Sequence, residues 1–486
     1  MSRLGNQAAV LSMARLANYG LMLLSPMILV RILPVAAFGR YREFLVYTSL
    51  LIAFAAFNIN DSLLYFIPAH AQSRWRIIQQ STILVACSSF AIVAFAIALD
   101  LALKGALIGN FLFPTAIYVL LFVNVDFWES SWLADHRPVP VFLYTTGRLL
   151  ARMIVVVVAA ITTHNIATIV WSLIALESVR LAGSVIAWKV SSKIEDRQPL
   201  TNLWRAQLQF CMPWGTAVVL AMTSRNLGNI VVVKLLGTAA LAYYTIGLYG
   251  EPIIAAIRNS LSTVLLPQMV RQGSSSTEER LRVWRRGIVV NCVILFPLVI
   301  VLARYAEPLI LRVFGGSYRP SVLVLQIYTL VILRECFDMT LPLRSANRTM
   351  PLVQSSVVGL LVNVVCLIFL VPRAGIAGAA LSLVAAGFAE AIYLGWCVAR
   401  VSKISMARLL PWGVIAKVAL AAIVAGAVIL SNVWTKSMGF FGLALGSVVY
   451  MTAFWLLLWL LRVPEAGLLW GWATRALRIG ASKSGL

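Results

Sequence analysis

The sequence predicts an all-α integral membrane protein of about fourteen transmembrane helices. Three observations predict it. Apolar residues make up 61% of the chain and charged residues only 12%, a balance that suits lipid better than water. Apolar stretches of roughly twenty residues, long enough to cross the hydrocarbon as helices, recur from end to end. The basic excess, a formal net charge of +23, is distributed with a direction.

In chain order the expected spans are 7–30, 41–66, 77–99, 107–128, 139–161, 166–189, 208–233, 239–266, 287–306, 321–342, 351–371, 375–398, 411–431 and 438–461. The first runs past Arg15 to Val30, too long and too charged for the apolar part of a cleavable signal peptide, so it reads as a membrane helix. Pro34 and Gly39 turn the chain into the second span, which carries Asp61 near its end. The fifth holds Arg148 and Arg152 one turn apart, so their like charges repel unless an acid or an anion lies between them. In the sixth, Arg180 has Glu177 three residues back, and local ion pairing is the favoured reading. The seventh carries Arg225. In the eighth, Glu251 and Arg258 stand seven apart and so share a helix face. The tenth places Asp338 four residues after Arg334, again read as a local pair. Glu390 stands alone in the twelfth, and Lys417 sits near the start of the thirteenth, where it can snorkel. The tail "LLWGWATRALRIGASKSGL", with Trp470, Trp472, Arg475 and Arg478, is expected to be an amphipathic segment at the membrane interface.

The forty Lys and Arg residues divide into twenty-two in loops on the side of the N-terminus, ten in loops on the other side and eight within spans. By the positive-inside rule both termini face the cytoplasm. Cations spread over many short loops suit anionic membrane lipids and do not make the single basic surface that nucleic acid requires. The six cysteines lack paired spacing and read as apolar packing. His70, His136 and His164 stand far apart at span ends, without a metal-ligand pattern. Neither a GxxxxGK[ST] phosphate loop nor a Gly-x-Ser-x-Gly elbow is present, so no cofactor, metal or covalent catalysis is expected.

The corner "VRILPVAAFGRY" after the first span recurs after the seventh as "VKLLGTAALAYY". Arg31 aligns with Lys234, Leu33 with Leu236, Ala36 and Ala37 with Ala239 and Ala240, and Tyr41 with Tyr244. Internal repeats of this kind place a transport site at the repeat interface. The seam is drawn in the polar segment Lys189 to Trp204, giving six-helix bundles at 1–195 and 196–403, an extra helix pair at 404–462 and a cytoplasmic tail at 463–486.

These corners, with "FGGSYRPSVLVLQIY" before the tenth span and "VNVVCLIFLVPRAGIAGAALSLVAAGFAE" across the eleventh and twelfth, give the chain a resemblance to a known family. It resembles the polysaccharide transporters, the O-antigen and exopolysaccharide repeat-unit flippases of the multidrug/oligosaccharidyl-lipid/polysaccharide exporter superfamily. The resemblance implies two pseudo-symmetric six-helix bundles around a central cavity, with two extra C-terminal helices. It also implies movement of a polyprenyl-pyrophosphate-linked oligosaccharide across a bacterial inner membrane by alternating access, without enzymatic chemistry. A coupling proton or sodium ion and other polysaccharide-assembly proteins are the implied partners. In that family the first, second, seventh and eighth helices line the cavity, which would bring Arg15, Asp61, Arg225, Glu251 and Arg258 together.

A charge in the bilayer interior costs about 2.5–3.5 kcal/mol on insertion scales, so such residues face protein or water. Guanidinium forks suit phosphate oxygens. Arg15, Arg258 and Arg225, with Arg148 and Arg152 next, are therefore the candidate substrate-binding residues, and Asp61 and Glu251 the candidates for ion coupling or charge balance. Static salt bridges are the competing reading of the same residues. Multidrug or lipid II transport within the superfamily, and a membrane polysaccharide polymerase or ligase, are the competing functions.

Overall fold

The computed structural model describes residues 18–70, 73–135, 137–191, 203–272, 277–346, 348, 350–429 and 439–463. Arg15, His136, the polar stretch 192–202 and the amphipathic tail lie outside them. Contacts divide the chain into two compact units, one ending at Thr245 and the other beginning at Ile246.

The first unit opens with α1 (Asn18–Ile32). It continues with α2 (Val35–Ala56), α3 (Ile59–Ala69), α4 (Arg74–Ala102), α5 (Leu112–Val123), α6 (Phe127–Ala134), α7 (Pro138–Thr163), α8 (Ile166–Ser191) and α9 (Trp204–Leu236). The unit boundary then falls within α10 (Thr238–Gly247). Pro34 ends the first corner: it has no N–H to leave unpaired, and α2 starts at the next residue. Gly237 does the same in the second corner, at φ +88°, and α10 starts at Thr238. Val35 and Thr238 are the positions that the repeat alignment pairs.

In the first unit, two spans expected to be continuous, 41–66 and 107–128, are broken. Phe57 and Asn58 both adopt left-handed backbone, φ 39° and 57°, between α2 and α3. Asn tolerates this conformation, whereas Phe adopts it only under the constraint of surrounding packing. Residues 124–126 separate α5 from α6, and Asn124 turns its amide back onto the Leu120 carbonyl (2.8 Å). Helix α9 lies along α2, α3 and α4 through small residues and buried amides. Gln207 Nε2 donates to Ser62 Oγ (2.8 Å) and Ser81 Oγ (2.6 Å), and Ser49 Oγ donates to Asn226 Oδ1 (3.3 Å).

The second unit holds α11 (Glu251–Gln272), α12 (Thr277–Phe314), α13 (Ser321–Glu335), α14 (Thr340–Ser345), α15 (Met350–Ser402), α16 (Met406–Leu409), α17 (Trp412–Gly426) and α18 (Gly439–Leu460). Helix α15 contains a kink at Gly375 (φ 57°, ψ −134°), so its two arms correspond to the separate eleventh and twelfth spans expected. The core of this unit gathers Trp284, Ile288 and Phe296 from α12, Ile332 from α13, and Val418 and Phe454 from α17 and α18. The last helix pair is therefore part of the core. Arg285 fastens it further, donating to the carbonyls of Leu409 (2.9 Å) and Arg408 (2.7 Å).

Among the described residues, ten helices are long and apolar enough to cross a membrane. The other four expected spans correspond to α1, α10 with α11, α13 with α14, and the second arm of α15. The chain is an all-helical, multi-pass membrane protein.

Candidate functional site

The intramembrane charges gather into a network in each unit, and both networks sit at helix breaks. In the first unit the break between α5 and α6 exposes Asp126. Arg148 Nη1 on α7 meets Asp126 Oδ1 at 2.6 Å, and Arg180 Nη2 on α8 lies 4.0 Å from the same oxygen. Arg180 also contacts Glu177 Oε2 (2.9 Å) and donates to the Phe122 carbonyl (2.9 Å), which at the end of α5 also accepts from Val125 N (3.3 Å). The guanidiniums of Arg180 and Arg148 stack over the Phe122 ring at 4.8 and 5.4 Å. Arg152 lies beside Tyr41, Tyr118 and Glu177. The acids that relieve the repulsion between Arg148 and Arg152 are thus Asp126 and Glu177.

Asp61, in the first turn of α3, lies near Asp126 and Glu129. The Asn58 amide, oriented by its neighbours, donates to Asp61 Oδ2 (2.7 Å) and accepts from Trp214 Nε1 (3.2 Å). Arg225 is an exposed residue of α9 between buried Ser224 and Asn226. The first unit therefore brings Asp61, Arg148 and Arg152 to one network.

In the second unit α13 ends at Glu335 and the chain breaks before α14. Arg258 on α11 pairs with Glu335 Oε2. Arg334 Nη1 meets Glu335 Oε1 at 2.8 Å, and Arg334 Nη2 meets Glu390 Oε2 at 3.2 Å. Arg334 Nε donates to the Gly387 carbonyl (3.0 Å), tying α13 to the second arm of α15. Gly359 allows Glu390 its place, because a Cβ there would fall 2.1 Å from Glu390 Oε1. Glu251, in the first turn of α11, faces the same Arg258 that sequence spacing placed on its face.

One expected pair is replaced. Arg334 does not take Asp338, because the helix ends at Glu335 and the i, i+4 relation no longer applies. Asp338 accepts instead from Ser262 Oγ (2.8 Å), Thr340 N (3.0 Å) and Thr340 Oγ1 (2.6 Å), which starts α14. Sequence spacing also missed Asp126, Glu129 and Glu335 as partners. Their signal was the polar interruption "NVDFWE" and the run "RECFD" inside apolar spans.

Of the deep residues expected to converge, Asp61 and Arg225 belong to the first unit and Glu251 and Arg258 to the second. Among the described residues no group of three His, Cys, Asp or Glu side chains is placed to hold a metal ion. Each network offers guanidinium and carboxylate groups, the chemistry that anion recognition uses.

Comparison with known proteins bears on the fold and the family. The fold is similar to that of the lipid II flippase MurJ in an inward closed conformation: TM-score 0.73, 13% identity, over 92% of this chain and 98% of that one. An inward-facing multidrug resistance transporter of the MATE family and MOP superfamily matches at TM-score 0.58 and 13% identity, over 81% of this chain and 99% of its own. A mutant of the MATE transporter VcmN from Vibrio cholerae matches at 0.54 and 14%, over 83% and 97%. At such identities the likeness is one of fold. No curated protein matches the chain by sequence. Residues 28–323, more than half of the chain, match the family described as polysaccharide biosynthesis protein. By that match the chain belongs to the polysaccharide biosynthesis family.

Proposed function

We propose that the protein moves a polyprenyl-pyrophosphate-linked oligosaccharide across the bacterial inner membrane, for assembly of a surface polysaccharide. The observation that carries this reading is Arg258, a guanidinium on a membrane helix that is 31% exposed and held in position by Glu335. A planar fork of this kind matches phosphate oxygens in two parallel hydrogen bonds. Membership of a polysaccharide biosynthesis family supports the glycan, and the flippase-like fold supports movement by alternating access. Arg225, Arg148, Arg152 and Arg15 are further contacts for the diphosphate or for acidic sugars. Asp61 and Glu251 balance charge or carry a coupling proton or sodium ion. The two repeats at 1–195 and 196–403 act as the moving halves, and both termini face the cytoplasm.

The test is to replace Arg258 singly with Ala and with Lys and to measure surface polysaccharide at matched membrane expression. A loss with Ala and partial retention with Lys is the expected result, and normal polysaccharide from both variants refutes the assignment. The likeness to a lipid II flippase favours a second reading, since lipid II carries the same polyprenyl pyrophosphate. Reconstituted vesicles offered lipid II or a lipid-linked oligosaccharide separate the two.

A further inference from the structure

Three large aromatic side chains stand exposed together in the first unit. Tyr65 on α3 and Phe210 and Trp214 on α9 are 57%, 47% and 49% exposed. Tyr65 and Phe210 stack, with ring centroids 5.0 Å apart and planes at 17°. Phe66, which is buried, meets both rings nearly at right angles, at 5.2 Å from Tyr65 and 5.7 Å from Phe210. The stacked pair is thus braced from within and open outward.

Exposed rings on a membrane helix ordinarily face lipid, but these helix faces also carry charge. Asp61 is exposed one turn before Tyr65 on α3. On α9 Phe210 and Trp214 are one turn apart, and Arg225, exposed as well, follows Trp214 by eleven residues, about three turns. An exposed carboxylate and an exposed guanidinium on membrane helices border water, because lipid penalises both. The aromatic and acidic parts of this face are also joined. Trp214 Nε1 donates to the Asn58 amide oxygen (3.2 Å), and the same amide donates to Asp61 Oδ2 (2.7 Å).

A flat apolar surface flanked by a hydrogen-bond acceptor matches a pyranose ring. The C–H face of the sugar packs on an aromatic ring, and its hydroxyls donate to a carboxylate. An acyl chain would use the rings but not the acid, and the acid repels phosphate. We propose, on the reading that the substrate is a lipid-linked oligosaccharide, that Tyr65, Phe210 and Trp214 form a platform for one of its sugar rings, with Asp61 accepting from the ring hydroxyls. The platform selects for the glycan, and the guanidiniums select for the diphosphate.

The experiment is calorimetric titration of the full chain in detergent micelles with two probes: undecaprenyl pyrophosphate, and the same lipid carrying one N-acetylglucosamine. The wild type is expected to bind the sugar-bearing probe more tightly. Tyr65→Leu and Phe210→Leu keep apolar bulk and remove a ring face. Each is expected to weaken the sugar-bearing probe about twofold to tenfold, the range of an aromatic contact, and to leave the sugar-free probe unchanged. Asp61→Ala, which leaves the rings in place, is expected to weaken the sugar-bearing probe alone and serves if the leucine variants fail to fold. Equal affinity of the wild type for the two probes overturns the proposal while leaving the diphosphate reading standing. Folded leucine variants that match the wild type on both probes mark the rings as lipid-facing and overturn it, as do variants that lose both probes alike. Binding of neither probe overturns both readings.

Discussion

Gly39 and Thr238 meet backbone to backbone, at the corner after α1 and at its repeat after α9: a Cβ at position 39 would lie 1.9 Å from the Thr238 carbonyl oxygen. The corners that the sequence aligns as copies are thus packed against one another. Nothing larger than glycine fits unless the backbone shifts.

Gly39→Val is therefore expected to destabilise the protein by about 1–3 kcal/mol, the usual cost of overpacking a tight site. Gly20→Ala on α1 is the control, since nothing lies within 4 Å of a Cβ there and alanine favours helix. Thermal unfolding of the two purified variants in detergent checks the contrast. Equal melting temperatures would remove the steric role of Gly39.

Arg180 reaches Glu177, Asp126 and the Phe122 carbonyl at the end of α5 at once. A lysine keeps the charge but not the planar fork. Arg180→Lys is expected to lower the melting temperature clearly. Arg319→Lys, in an exposed pair with Glu307, is expected to change stability by less than about 1 kcal/mol. A similar effect of both replacements would argue against a cap on the broken fourth span.

Arg334 and Glu390 join α13 to α15. Arg334→Met leaves two acids short of a partner, and Glu390→Gln leaves one guanidinium arm less engaged. The effects on stability are expected to be non-additive, with a coupling of about 0.5–3 kcal/mol in a double-mutant cycle. A coupling near zero would make the 3.2 Å contact energetically idle.

Arg285 donates to two carbonyls at the end of α16 and so anchors the last helix pair. Arg285→Ala is expected to increase proteolysis between α15 and α17 while the spans stay intact. Unchanged proteolytic fragments in native membranes would show that core packing alone holds the pair.

The fold was largely legible, because membrane helices announce themselves by length and polarity. Residues 77–99 and 208–233 became α4 and α9, and the corners at Pro34 and Gly237 start helices as the repeat requires. Local pairs within one unbroken helix were legible too, as Glu177 with Arg180 shows. The breaks were not. Phe57 and Asn58 carry no Pro or Gly signal, and left-handed Phe arises from packing rather than preference. Missing the break after Glu335 assigned the wrong partner to Arg334.

By itself the sequence determined a multi-pass helical membrane protein, its repeated corners, and which charges must find partners inside the bilayer. Periodicity and hydropathy act over one or two turns, and these properties need no more. Only the tertiary structure decided the partners, because Arg148 with Asp126, Arg258 with Glu335 and Arg334 with Glu390 lie on separate helices. A buried guanidinium needs a counter-charge within a few ångströms, and helix packing, not sequence spacing, brings one there.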